Sequence, residues 1–426
     1  MYIDTLYIEN FRTFANNKLE FLHPDKHVKS SNGKTPKFNN INLILGNNGS
    51  GKTTLMKAVA LSALSPVISS SGFVPYCLVR KTRANRSGSP SVIAEAVLRG
   101  SFLLHDEDII KNRRRREFAG GNRKRTTHVV IVRREDLEQI QPKEGDDFSV
   151  NAPVWSEMYK NKSPAFLIVG YGATRRVETL ENFDFSTRKR RALRYQRIQG
   201  LFEDSYSLIP LGSWLPDMET FNPRRFSEVV RLLNRLLPKP FSFAGDFENG
   251  EYLFKQKNLR IPFDALSDGY RSYIGWIADL LHHISNGCPV NKRLADSKGI
   301  VMVDEIDLHL HPAWQREVIP LLSSTFPNLQ FIFTSHSPIL TGSLQAANIL
   351  VLEIKGTNSK FVRLEKSVYG LNADQILISE YFGLDSTRAP GMKKKIRELN
   401  LKAMEGDADA SLELLKYLAQ GEEAEL

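Results

Sequence analysis

The sequence predicts an α/β protein: a mostly parallel core sheet with an antiparallel subdomain, a helical insertion and a helical C-terminal tail. Three observations predict it. Four short apolar runs, Ile41–Leu45, Ala165–Val169, Ile300–Val303 and Phe331–Phe333, each stop at small or polar residues, as buried parallel strands do. Between the first run and a helical stretch (Thr53–Leu64) lies the glycine-rich turn Gly46–Thr53, GNNGSGKT. The 426 residues, 41% hydrophobic and 25% charged, have the composition of an ordinary globular chain and the length for two or three domains or one with insertions.

Composition also excludes classes. No uninterrupted apolar run approaches the ~18 residues of a membrane span. The start, Met1-Tyr2-Ile3-Asp4, lacks the basic and apolar segments of a leader. Cys77 and Cys288 are the only cysteines, too few for a disulfide framework or a four-cysteine zinc site. The expectation is a cytoplasmic protein in a reducing compartment, with no membrane partner.

Taken in order, Tyr2–Asn10 and Lys18–Leu22 predict an opening hairpin. Val92–Leu104 and Thr127–Val132 predict longer antiparallel strands flanking an exposed basic loop near 105–127. Arg188–Pro238 is helical in pattern, with Phe226–Leu237 amphipathic. Gly269–Ile284 predicts a helix, and Leu371 onward reads as three short helices before an acidic tail (Glu422, Glu423, Glu425). The chain has no internal repeat and no heptad stretch long enough for a coiled-coil arm.

The net charge is +10, from 58 basic and 48 acidic residues. It is concentrated: Lys111–Arg125 holds eight basic residues and one acid, and Arg188–Arg197 holds six basic residues. Such runs are either solvated surface or a DNA or RNA backbone contact, which needs dense positive charge and no sequence code. Trp155, Trp214 and Trp314 are either core residues or anchors for a partner.

In an open α/β sheet, ligands bind beyond the carboxyl ends of the strands, where the chemistry-bearing residues here fall. Gly46, Asn47, Asn48, Gly49, Ser50, Gly51, Lys52 and Thr53 satisfy G-x-x-x-x-G-K-[ST]. Glycines let the backbone wrap phosphates, and amides at the helix start present positive partial charge to them. Lys52 reaches the β and γ phosphates of ATP, Thr53 places its hydroxyl on Mg²⁺, and Thr54 continues the binding segment. Asp304 and Glu305 follow the run IVMV: Asp304 is the candidate Mg²⁺ ligand and Glu305 the candidate base for the attacking water. His336, just past Phe331–Phe333, is a candidate γ-phosphate sensor. His309 and His311 have tempting spacing but no third ligand in view, so a subunit-contact loop after Glu305 is the preferred reading.

Leu266-Ser267-Asp268-Gly269-Tyr270-Arg271 resembles the signature motif of ABC-type ATPases. Standing before a helix, it puts Ser267 where it can cap and Gly269 where it can lie close to a phosphate. The order phosphate loop, signature, acidic pair, subunit-contact loop and histidine matches that class. VDEIDLHLHP and the opening IDTLYIENFRTF resemble its RecF, SMC and OLD branch rather than transporter ATPases. The resemblance implies lobes at 1–180 and 246–370 around a helical insertion (181–245), with an extension at 371–426. It also implies a head-to-tail homodimer or higher homo-oligomer. Each ATP would then lie between the phosphate loop of one subunit and Ser267 and Gly269 of the other.

Three departures stand out. The family glutamine expected after the Ala165–Val169 run is missing, and Gly170–Arg176 (GYGATRR) stands there, so Arg175 or Arg176 is expected to contact nucleotide or an adjoining subunit. Asp268 replaces the usual signature glycine. Coiled-coil arms are lacking. The segment after His336 also carries no acidic cluster of a Toprim nuclease. YGATRR and Tyr369–Leu377 (YGLNADQIL) are similar to text in stand-alone ATPases of bacterial anti-phage systems (Septu, PARIS and retron-associated). The expectation is therefore an ATPase with no nuclease domain of its own, acting as sensor or scaffold for a separate effector such as a nuclease. The alternative is a RecF-like DNA-binding repair ATPase; a transporter ATPase fits the motifs less well.

Overall fold

The computed structural model describes residues 1–26, 36–64, 73–81, 94–105, 124–135, 137–142, 167–178 and 193–419. The chain divides into two compact units, Met1–Gly370 and Leu371–Leu426. Residues 111–123 and 188–192 of the two basic runs, Trp155 and the acidic tail lie outside the described residues.

Strands β1 (Tyr2–Phe11) and β2 (Phe14–Glu20) form the opening hairpin, and β3 (Ile41–Gly46) leads into the glycine turn. Strands β4 (Ala94–Leu103), β5 (Lys124–Arg134) and β6 (Leu137–Pro142) follow, then β7 (Ile168–Tyr171). A small antiparallel sheet comprises β8 (Phe241–Glu248), β9 (Glu251–Gln256) and β10 (Leu259–Pro262). The first unit closes with β11 (Gly299–Val303), β12 (Leu329–Thr334), β13 (Ile349–Lys355) and β14 (Asn358–Val362).

The core sheet has the order β14-β13-β3-β12-β11-β7. Its pairings are parallel except for the β13–β14 hairpin at one edge. Parallel strands buried on both faces need apolar residues throughout, and β11 and β12 are buried end to end. A second, antiparallel sheet runs β2-β1-β4-β5-β6. The strands expected on either side of the basic loop are therefore β4 and β5, paired from Ala94↔Arg133 to Leu103↔Lys124.

Two expected elements shift. The hairpin's second strand starts at Phe14, because Phe11 already pairs with Phe14 across a two-residue turn. Strand β7 runs to Tyr171 rather than ending before Gly170, because Met302 and Val303 pair with Gly170 and Tyr171. A Cβ on Gly170 would come within 2.4 Å of Leu201 Cδ1, so only glycine lets that neighbour pack on the strand.

Helix Lys52–Leu64 is apolar almost all round, and its side chains join those of both sheets in one core, with Leu6, Leu98 and Ile131 on one side and Ile44, Ile168 and Ile332 on the other. Buried amides tie the sheets together. Gln330 accepts from Ile3 N at 2.8 Å and donates to the Ile3 and Leu22 carbonyls at 2.8 Å each. Asn42 accepts from Leu22 N at 2.7 Å and donates to Leu22 O at 2.9 Å. Buried amides of this kind stabilise only when fully bonded, and these are.

Three further helices of the first unit are Pro223–Leu236, Asp268–Gly287 and Pro312–Thr325. The second unit holds helices Ala373–Leu377, Pro390–Met404 and Ala408–Ala419. Among the described residues, no helix is long and apolar enough to cross a membrane.

Candidate nucleotide-binding site

Because β3, β12, β11 and β7 are adjacent and parallel, their carboxyl ends share one edge. Segments 46–53, 334–336, 304–305 and 171–175, far apart in the chain, thereby meet.

The turn after β3 is a cradle shaped by missing side chains. Gly46 (φ +151°), Gly49 (φ +77°) and Gly51 (φ +102°) lie where other residues are strained. A Cβ on Gly46 would come within 2.7 Å of Leu352 O, and one on Gly51 within 2.5 Å of Thr13 Oγ1. Asn47, Asn48 and Gly49 are exposed at the rim, whereas Ser50 is buried and its Oγ has no hydrogen-bond partner among the described residues. A buried donor left open in a loop of this shape suits a phosphate oxygen.

Lys52 folds back over the turn, donating to Gly46 O at 2.8 Å and Asn47 O at 3.2 Å. Desolvation lowers its pKa from the ordinary lysine value, while the carboxylates of Asp304, Glu305 and Asp307 act the other way. Thr53 Oγ1 donates to Asp304 Oδ2 at 2.5 Å. Thr334 Oγ1 donates to Asp304 Oδ1 at 2.5 Å and accepts from Glu305 N at 2.7 Å. Thr54 is buried beneath the turn. Two hard oxygen donors, Thr53 Oγ1 and an Asp304 carboxylate oxygen, thus converge from different elements, a pair of the kind Mg²⁺ takes beside substrate phosphates.

Glu305 sits half-exposed in the left-handed backbone region (φ +48°). Its negative charge opposes the lowering of the Lys52 and His336 pKa values. His336 is exposed on the rim, and partial desolvation and the Lys52 ammonium pull its pKa below the usual imidazole value.

At the signature, Ser267 occupies the N-cap position of helix Asp268–Gly287 but its side chain makes no capping bond. The expected cap is therefore absent, and the Ser267 side chain is exposed. Asp268 is also exposed and pairs with Arg271. Gly269 is required by packing: a Cβ there would come within 2.7 Å of His309 O. His309 lies at φ +65°, and His311 accepts from Ala313 N at 3.3 Å to cap the following helix. Among the described residues, no group of three His, Cys, Asp or Glu could hold a metal ion. Trp214 is buried, and Trp314 is half-buried against Tyr270, ring centroids 4.5 Å apart.

Arg175 departs from expectation. Rather than facing nucleotide or a partner, it is buried, with Nη1 donating to Asp304 O at 2.6 Å and Nη2 to Glu305 O at 3.0 Å. Burial lowers its pKa to about 10. Arg176 is exposed and pairs with Glu178 at 3.1 Å. Sequence reasoning assigned no role to Thr334 or Gln315. Gln315 accepts from Ser337 Oγ at 2.7 Å and donates to Leu310 O at 3.0 Å, joining the histidine segment to the loop after Glu305. Thr334's place beside Ser335-His336 was a usable signal; Gln315 had none.

Fold and site together give an α/β sheet that carries a phosphate-loop turn, a buried lysine and an acidic strand end at one edge. Residues 5–205 match a family model described as "AAA domain", and residues 156–341 match one described as "AAA domain, putative AbiEii toxin, Type IV TA system". The chain is 31% identical over 231 residues to the Septu protein PtuA of Bacillus mycoides, covering 53% of this chain and 30% of that protein. It is 35% identical over 159 residues to the "Retron Ec83 probable ATPase" of Escherichia coli, 36% of this chain and 29% of that one. The "Retron Vc95 probable ATPase" of Vibrio cholerae is 22% identical over 442 residues, 87% of this chain and 81% of that one. The matches thus span under a third of the first two relatives. Among solved structures, an SMC head bound to the C-winged helix domain of ScpA aligns over 85% of this chain and 98% of its own, at 16% identity and TM-score 0.45.

Proposed function

We propose that this chain hydrolyses ATP, closes head-to-tail with a second copy around the nucleotide, and thereby controls a separate effector, a nuclease, in anti-phage defence. The observation that carries the ATPase reading is the meeting of Lys52, Thr53, Asp304, Glu305 and His336 at one sheet edge. Bound Mg²⁺ would neutralise phosphate charge, and Thr53 and Asp304 would hold it. Lys52 exchanges the loop carbonyls for the β and γ phosphates. Glu305 takes the proton from the attacking water, and His336 lies beside the γ-phosphate. The exposed, uncapped Ser267 favours the dimer reading, since its hydroxyl is left for a phosphate outside its own subunit. Likeness to the Septu and retron proteins supports the defence assignment.

The test is the Glu305→Gln protein, with wild type as control, in light scattering and ATP turnover. Wild type should hydrolyse ATP, and Glu305→Gln should bind ATP, turn over at least ~100-fold more slowly, and accumulate as an ATP-dependent dimer. Unchanged turnover would remove Glu305 as the base. Pull-down of the trapped protein from its host should recover a stoichiometric nuclease-like partner. Recovery of DNA alone would instead favour a RecF-like clamp, the reading supported by the basic runs Lys111–Arg125 and Arg188–Arg197.

A further inference from the structure

The segment after β7 lacks the family glutamine, yet it is bonded into the acidic turn more closely than an exposed lid would be. Tyr171 O accepts from Asp304 N at 2.9 Å. Four residues on, the Arg175 guanidinium caps the Asp304 and Glu305 carbonyls, and its side chain is only 8% exposed. From the opposite side, Thr334 Oγ1 accepts from Glu305 N at 2.7 Å, and Thr334 O accepts from Ile306 N at 3.0 Å. The turn so gripped holds Glu305 at φ +48°, a conformation unfavourable for a non-glycine residue that persists only when its surroundings impose it.

We propose that Arg175 is a positioning residue for hydrolysis: its two hydrogen bonds to the Asp304 and Glu305 carbonyls hold the acidic turn and keep Glu305 in its left-handed conformation at the carboxyl end of β11. Arg175 therefore acts through the backbone of the acidic turn and does not touch nucleotide. A lysine cannot replace it, because a single ammonium lacks the planar fork that meets both carbonyls. This inference rests on Glu305 serving as the base.

The experiment compares wild type, Arg175→Ala and Arg175→Lys as full chains. Readouts are ATP turnover, affinity for a fluorescent ATP analogue, and amide hydrogen exchange without nucleotide. Arg175→Ala should lose about 10- to 100-fold in kcat with KM and analogue affinity within about two-fold of wild type. Arg175→Lys should recover little, whereas millimolar guanidinium should restore part of the Arg175→Ala rate by refilling the cavity. Exchange at residues 304–306 should quicken in both variants, and this arm holds even for a protein with little turnover.

Wild-type turnover retained in Arg175→Ala would overturn the inference while leaving the ATPase reading intact. A rise in KM matching the fall in kcat would also overturn it, by making Arg175 a nucleotide contact. Absence of turnover in wild type would instead remove the ATPase reading, and exchange at 304–306 would still decide whether Arg175 holds the turn.

Discussion

The phosphate-loop edge and the signature edge of this molecule treat their polar atoms in opposite ways. At the first, Asp304 is 3% exposed and both its oxygens are bonded, to Thr53 and Thr334, while Lys52 is 7% exposed and rests on two carbonyls. At the second, Ser267 and Asp268 are exposed, and Ser267 caps nothing although it stands at the helix start. Buried polar groups mostly find partners within the chain, the Ser50 hydroxyl at the phosphate loop being left open among the described residues, whereas exposed ones can wait for a ligand. The first edge is organised by its own fold; the second presents groups outward, as a surface that completes another subunit's site would.

Perturbing the two edges should therefore break different properties. The largest effect is expected from Lys52→Ala, which should weaken ATP binding about 100-fold, read by titration with a fluorescent analogue. Thr334→Val removes the hydroxyl serving both Asp304 and Glu305; turnover should fall about 10- to 50-fold while the protein stays folded by circular dichroism. Ser267→Glu tests the other edge: the isolated subunit should bind ATP within about two-fold of wild type but fail to dimerise, because a carboxylate would face a phosphate. Mixing Ser267→Glu with Lys52→Ala should restore part of the activity, since one composite site stays intact; no restoration would argue against head-to-tail sharing.

A smaller effect concerns pH. His336 has its pKa lowered in the folded state, so the unfolded chain binds that proton more readily. Its contribution to stability is then complete above the ordinary imidazole value of 6.5 and declines as pH falls from there through the lowered folded value. The melting temperature of His336→Asn should vary less with pH across that window. Smallest is Trp314→Ala, which removes a half-buried ring from beside Tyr270 and should cost about 1–2 kcal/mol in urea unfolding without changing ATP affinity.

Legibility in the sequence followed locality. GNNGSGKT could be read because loop shape, lysine and hydroxyl are consecutive, so the chemistry needs no distant partner. Asp304-Glu305 could be read because the strand before it is apolar and the acids sit at its end. Arg175 could be seen but not understood: its partners lie 129 and 130 residues away, and an arginine after a strand reads equally as a nucleotide or subunit contact. Gln330 and Asn42 gave no signal inside apolar runs, because their function is to bond β1 and Leu22 across two sheets.

What the sequence determined by itself was the set of parts: strands whose uniform apolarity demands burial on both faces, a glycine turn of the pattern that wraps phosphates, and acids at a strand end. What the tertiary structure alone decided was their order and facing. The parallel arrangement β3-β12-β11-β7 brings residues 46, 334, 304 and 171 to a common edge. Packing against the Glu305 turn then buries Arg175, while Ser267 stays exposed at the start of its helix. The physical reason is that apolar pattern and turn chemistry are properties of neighbours in the chain, whereas hydrogen-bond satisfaction is a property of neighbours in space.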